Sequence, residues 1–210
     1  MLADGSLAGD LGSAELNSLA RSAAASLGPH IKPGIVTLPL DKQQVSFFIE
    51  PAVITPEVLI LGGGHIARPL VTIAALLGYQ VTVVDDRPEF ANIDRFPDAD
   101  KVICANFEPA LAGLDIGPSV YAVIVTRGHQ YDLDCLRQLI SYRTAYIGMI
   151  GSRKKIKAVM EQLAGEGIPP EKLAAVFAPI GLDIGAKTPE EIAVSIMAEI
   201  INTYRNGQMI

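Results

Sequence analysis

The run LGGGHIA, Leu61 to Ala67, brings three glycines and a histidine together. Its spacing is Gly62-x-Gly64-x-x-Ala67, and each of these positions has a physical use. Glycine at 62 permits a tight turn. Glycine at 64 leaves the backbone open to a diphosphate, and a small residue at 67 lets a helix pack closely on a strand. Unpaired N–H groups and the dipole at a helix start favour an anion. The backbone from Gly62 through Gly63, Gly64, His65 and Ile66 is therefore the first candidate binding segment. Asp85 lies 23 residues beyond Gly62. At the end of a following strand, such a carboxylate accepts hydrogen bonds from ribose hydroxyls. It also repels a 2′-phosphate, which biases the reading toward an NAD-like dinucleotide. Arg87, two residues on, weakens that bias.

Two further segments carry cations. TRGHQYD holds Arg127, His129 and Asp132, and GSRKKIK holds Ser152, Arg153, Lys154 and Lys155. Three cations in the first turn of a helix oppose its dipole, and a bound phosphate relieves the conflict. Arg153 suits that task best, because its planar fork grips two phosphate oxygens at once. His129 would then face the space between two phosphate sites. Two histidines near an aspartate also suggest a metal centre. The 65-to-129 spacing is no ligand motif, however, and no metal is assigned. His65 is read as lining the pocket or capping the first helical turn. Cys104 and Cys135 lack metal-ligand spacing and fall in apolar runs, so both are expected to be buried and inert.

These residues need elements to position them. From Glu57 onward, VLILG, YQVTVVDD, KVICA (101–105), YAVIVT (121–126) and AYIGMIG (145–151) read as apolar strands buried on both faces. AVFAPI reads as a short sixth strand. Helical stretches are predicted over 65–78, 130–142 and 153–165. A last helix starts with Thr188 as N-cap, Pro189 at its first position and Glu191 closing a capping box. Ile192, Ile196 and Ile200 form its apolar stripe. This alternation predicts an α/β fold, a doubly wound parallel sheet of about six strands spanning 56–210. Asp85 and the two basic segments then share the carboxyl edge of the sheet, where ligands bind in such folds.

Residues 1–55 read as a small N-terminal α+β appendage. Ser13 caps a helix to about Leu27, with Leu16, Leu19, Ala20, Ala23 and Leu27 on one stripe, and Gly28-Pro29 stops it. GIVTLPL and QVSFFIEP form two short strands joined by DKQ, with Pro39 marking an edge strand. Pro51 and Pro56 mark a boundary near residue 55.

The 210 residues suit one substantial domain plus this appendage, and 50% hydrophobic with 19% charged residues is an ordinary globular composition. A formal charge of −6 argues against nonspecific nucleic-acid binding. No apolar run approaches the roughly 20 residues of a membrane span. The start lacks a basic segment followed by an apolar one, so no signal peptide is expected. Together these predict a cytoplasmic protein.

Six blocks occur in order: LGGGHIA, VTVVDDRPEFA, RFPDAD, VTRGHQYD, YIGMIGSRKK and PIGLDIGAKTPEEIAVSIMAEII. Together they resemble the C-terminal, Rossmann-like domain of the xanthine dehydrogenase accessory protein family, the XdhC/CoxI type, over about residues 56–205. MLADGSLAGDLGSAEL is similar to part of the family's N-terminal domain. The resemblance implies a cytoplasmic maturation factor without turnover of its own. Such a factor binds molybdenum cofactor, an anionic pterin, and hands it, sulfurated, to a molybdenum hydroxylase. A sulfur-donating enzyme is a further implied partner. Many members carry a cysteine in the N-terminal segment; this chain has none before Cys104. An NAD-dependent oxidoreductase and a nucleotide-sensing interaction module stay open as alternatives. So do the choice between a pterin and an NAD-like dinucleotide, the client enzyme and homo-oligomerisation.

Overall fold

A computed structural model describes residues 8–26, 34–41, 43–50 and 55–206. The chain divides into two compact units, Met1–Val53 and Ile54–Ile210. In the first, α1 (Ala14–Ser26) begins at Ser13, whose hydroxyl accepts the Leu16 N–H at 3.1 Å. Leu16, Leu19 and Ala20 are partly buried and Ala23 fully so. Leu27, expected to end the stripe, lies outside the described residues. Strands β1 (Gly34–Leu40) and β2 (Gln43–Ile49) pair antiparallel, with Pro39 opposite Gln44. In a two-stranded sheet both strands are edges, so proline costs no second ladder.

The second unit is the predicted parallel sheet with helices. Its strands are β3 (Glu57–Leu61), β4 (Gln80–Asp85), β5 (Lys101–Cys104), β6 (Val120–Ile124) and β7 (Tyr146–Met149). Their order is β5-β4-β3-β6-β7, all parallel. The helices are α2 (Ala67–Leu76), α3 (Phe107–Ala112), α4 (His129–Leu139), α5 (Arg153–Gly165), α6 (Pro170–Ala174) and α7 (Pro189–Asn206). From β3 the chain builds outward through β4 and β5, then crosses back to add β6 and β7 on the other side. That reversal opens a crevice at the carboxyl ends of β3 and β6, the usual ligand position in this architecture.

Two apolar layers sandwich the sheet. One packs Val58, Ile60, Val81 and Val83 against Leu70, Ala74, Ile196 and Ile200. The other packs Leu59, Leu61, Ala122 and Ile124 against Leu111, Leu136, Val159 and Leu163. Burying each of the larger side chains contributes about 1.5–3 kcal/mol. The start of α7 is as expected. The Thr188 hydroxyl accepts the Glu191 N–H at 3.2 Å, and the Glu191 carboxylate accepts the Thr188 N–H at 3.0 Å.

Three expectations change. AVFAPI is no full strand: Phe177 makes one isolated parallel bridge to Gly148, so among the described residues the sheet has five strands. The Phe177 N–H and C=O join β7, bonding Ile147 and Met149, before Pro179 withdraws a donor. The helix predicted to 142 stops at Leu139 and ends in a turn. Cys104 is exposed rather than buried, because β5 is the outermost strand of its side. Cys135 is buried, and that burial pushes its thiol pKa up.

Candidate functional site

The glycine turn leaves β3 at the crevice. Gly62 has φ +112°, a left-handed value that side chains rarely adopt. A Cβ there would meet the Val125 carbonyl oxygen at 2.5 Å and the Thr126 Cα at 2.9 Å. Gly62 therefore lets the end of β3 pass against the end of β6. A Cβ on Gly63 would collide with the Phe90 carbonyl oxygen, so a second approach from the β4 side is equally close. Gly64 differs: a Cβ there would meet nothing within 4 Å. Its backbone is the open one. Ala67 is fully buried where α2 meets the sheet.

Asp85 ends β4 and is only 1% exposed. One carboxylate oxygen accepts the Gly63 N–H at 2.8 Å and Arg87 Nη2 at 2.9 Å. The other accepts the Arg87 N–H at 3.0 Å and Arg87 Nε at 2.9 Å. Burial pushes this carboxyl up, but the Arg87 side chain and the Gly63 and Arg87 amides outweigh it and hold it below the usual carboxylate range. The folded state therefore resists protonation at Asp85. The resulting stability is present above the ordinary carboxylate pKa and lost as pH falls through the lowered value. Asp85→Asn should accordingly melt below wild type at neutral pH, with the gap narrowing as pH falls below the ordinary carboxylate range. Thermal melts across that range check this. A gap constant with pH would assign the loss to shape rather than charge.

Arg87 and Arg95 both lie by Phe90, their guanidinium carbons 3.7 and 5.0 Å from its ring centroid. Arg95 donates to the Gly63 carbonyl at 3.0 Å and to the Gly64 carbonyl at 3.4 Å. The turn is thus held by its N–H at Asp85 and its carbonyls at Arg95. Sequence reading missed Phe90 and Arg95. Their signal was an aromatic residue with an arginine three before it and another five after it. His65 and Ile66 precede α2; Ile66 occupies the cap position, and no side chain caps the helix. His65 is exposed and lines a groove of about 600 Å³ with Arg68, Arg95 and Phe96.

The loop after β6 carries Arg127 and His129, both exposed. Arg127 Nη2 bonds Asp86 at 2.9 Å and the Tyr131 hydroxyl at 2.7 Å, and its guanidinium lies over the Tyr131 ring. Asp132 is fully buried; the Thr126 hydroxyl and the Lys155 ammonium meet its two oxygens. Burial raises its pKa above the usual value despite both partners. Ser152 caps α5, accepting the Lys155 N–H at 3.3 Å. Of the three cations expected to call for a phosphate, Lys155 is thus neutralised within the chain. Arg153 and Lys154 are exposed at the first two positions of α5. Among the described residues no group of three His, Cys, Asp or Glu is placed to hold a metal ion.

The pattern that defines the XdhC Rossmann domain matches residues 58–200, which include the turn, the β4 and β6 loops and the start of α5. The chain belongs to the XdhC Rossmann-domain family. Its XdhC-type domain has named relatives. It is 37% identical over 168 residues to a protein of Bacillus subtilis named as a probable subunit of xanthine dehydrogenase, covering 80% of this chain and 49% of that protein. It is 36% identical over 164 residues to "Uncharacterized protein YqeB" of Escherichia coli, covering 78% of this chain and 30% of that one. A crystal structure described as a xanthine dehydrogenase from Bacillus halodurans superposes with a TM-score of 0.66 at 30% identity, covering 80% of this chain and 48% of that chain. This chain thus spans about half, or less, of the length of these relatives. Among the described residues no helix is long and apolar enough to cross a membrane.

Proposed function

We propose that this chain is an accessory protein of a xanthine dehydrogenase-type molybdenum hydroxylase. In this reading it binds molybdenum cofactor, or a related nucleotide-containing ligand, at the glycine turn and hands it to that client in the cytoplasm. The observation that carries the reading is the XdhC match over 58–200, which spans every element of the crevice. The Bacillus subtilis relative, named for a xanthine dehydrogenase, supports the choice of client.

The residues fit an anionic cargo. Gly64 presents bare backbone ahead of α2, and a Cβ there would meet nothing within 4 Å, so a phosphate can approach. Arg153 and Lys154 offer cations at the start of α5 on the same edge of the sheet. The bound group would supply the molybdenum-binding pterin. The chain's own residues hold its phosphate, keep the turn rigid through Asp85 and Arg95, and leave the far end accessible to the client.

The test is mass spectrometry of ligand released from purified protein, wild type and Gly64→Val. Wild type is expected to release a phosphorylated pterin. Gly64→Val should remain folded, release none, and fail to raise the activity of a client hydroxylase prepared without accessory protein. A nucleotide without a pterin would select the NAD-like alternative. Equal loading of both proteins would remove the turn as the site.

A further inference from the structure

Asp85 stands where a ribose diol would be read, yet it has no acceptor position left. An ionised carboxylate offers about four lone-pair sites. Gly63 takes one and Arg87 takes three, through its amide, Nε and Nη2. A diol reaching Asp85 would have to strip away a two-pronged, charge-assisted pair, which is among the stronger hydrogen-bond arrangements. Arg87 is also pinned from the other side by the Phe90 ring, 3.7 Å from its guanidinium carbon.

Asp86, the next carboxylate, lies between two guanidinium groups. Its Oδ2 is taken by Arg127 at 2.9 Å, and its Oδ1 lies 3.9 Å from Arg87 Nε. Of the five N–H groups of a guanidinium, Arg87 spends two on Asp85. The Arg87 side chain is 24% exposed and the Asp85 side chain 2%. What a ligand meets at the end of β4 is therefore a guanidinium. Arg95, whose guanidinium lies near the same Phe90 ring and bonds only backbone carbonyls among the described residues, adds a second cation.

We infer that Arg87 is a specificity-determining residue that makes this end of the site a receptor for a phosphate ester rather than for a free ribose diol. The inference rests on the glycine turn being the ligand site and adds the chemistry of the ligand's far end. Arg87 covers the carboxylate that would repel the phosphate, and it offers planar donors in the carboxylate's place.

NAD+ and NADP+ are suitable probes, because they differ only by a phosphate on a ribose hydroxyl. Titration calorimetry would compare both on wild type and on Arg87→Gln, with circular dichroism as the check on folding. Wild type is expected to bind NADP+ roughly 10–100-fold more tightly, the range for hydrogen bonds to charged groups. Arg87→Gln should abolish or reverse that preference, because the uncovered Asp85 accepts a diol and repels a phosphate. If Arg87→Gln does not fold, the double variant Asp85→Asn/Arg87→Gln removes the uncompensated charge and should show no preference. A wild-type preference for NAD+, equal affinities, or a ratio unchanged in a folded variant would overturn the inference. Failure of wild type to bind either probe would overturn it too. The turn would still be judged separately, by the ligand released from wild type and from Gly64→Val.

Discussion

Gly62→Ala is expected to lower the melting temperature of the sheet domain by roughly 4–20 °C. Two costs add. Left-handed backbone costs an alanine about 1–2 kcal/mol. The added methyl would also lie 2.5 Å from the Val125 carbonyl oxygen, which is backbone and cannot swing aside. Overpacking of that kind costs typically about 1–3 kcal/mol. For a domain of this size each kcal/mol moves the midpoint by about 2–4 °C. Gly64→Val is the matched control, because its side chain would enter open space. A Gly62→Ala shift of only a degree or two would show that β3 and β6 part readily at their carboxyl ends.

Glu199→Ala is expected to cost about 2–5 kcal/mol, read by urea denaturation. The carboxylate is 8% exposed and accepts the Tyr146 hydroxyl at 2.5 Å and the Gly181 N–H at 2.9 Å. Removing it strands the buried Tyr146 hydroxyl, at about 1–3 kcal/mol, and the part-buried Gly181 N–H, at somewhat less. Tyr146 cannot turn toward water: it is fully buried and stacked 4.7 Å from Phe177. Glu199→Gln keeps an acceptor and should recover much of the loss. Hydrogen exchange supplies a local reading, since the Gly181 amide should lose protection in the alanine variant. A stability change below about 1 kcal/mol with Gly181 still protected would mean that the 178–188 segment is held by other contacts, such as Ser195 to Leu182.

Where one local rule decided, the sequence was readable. Apolar runs from Val58, Val81, Val120 and Tyr146 are strands buried on both faces. The Thr188–Glu191 box starts α7 at the expected residue. The turn at Gly62 was legible because backbone geometry restricts that position to glycine. Where distant partners decided, sequence alone fell short. Asp85 has the type and spacing of a ribose acceptor, but Arg87 and Gly63 occupy it. The basic start of α5 looked unbalanced because Asp132, which neutralises Lys155, lies on another helix. Cys104 sits in an apolar run, and only the strand order shows that β5 is outermost. AVFAPI has the composition of a strand but makes a single bridge at Phe177.

The position of β3 at the middle of the sheet sets an order of assembly. β3 pairs with β4 across one short helix, whereas its pairing with β6 joins Glu57 to Val120. Contacts between residues far apart in the chain carry the larger loop-closure cost and form late. The Val125–Thr126 backbone that confines Gly62 belongs to that late partner. A nascent chain that stops before Val120 already contains the whole GGGHIA segment, yet one wall of its crevice is missing. Under the proposed function, synthesis would have to run through both halves of the sheet before a ligand could be held, so the ligand would not act as a template for the first half. A ribosome-stalled chain ending near residue 115 should neither capture ligand nor be stabilised by it.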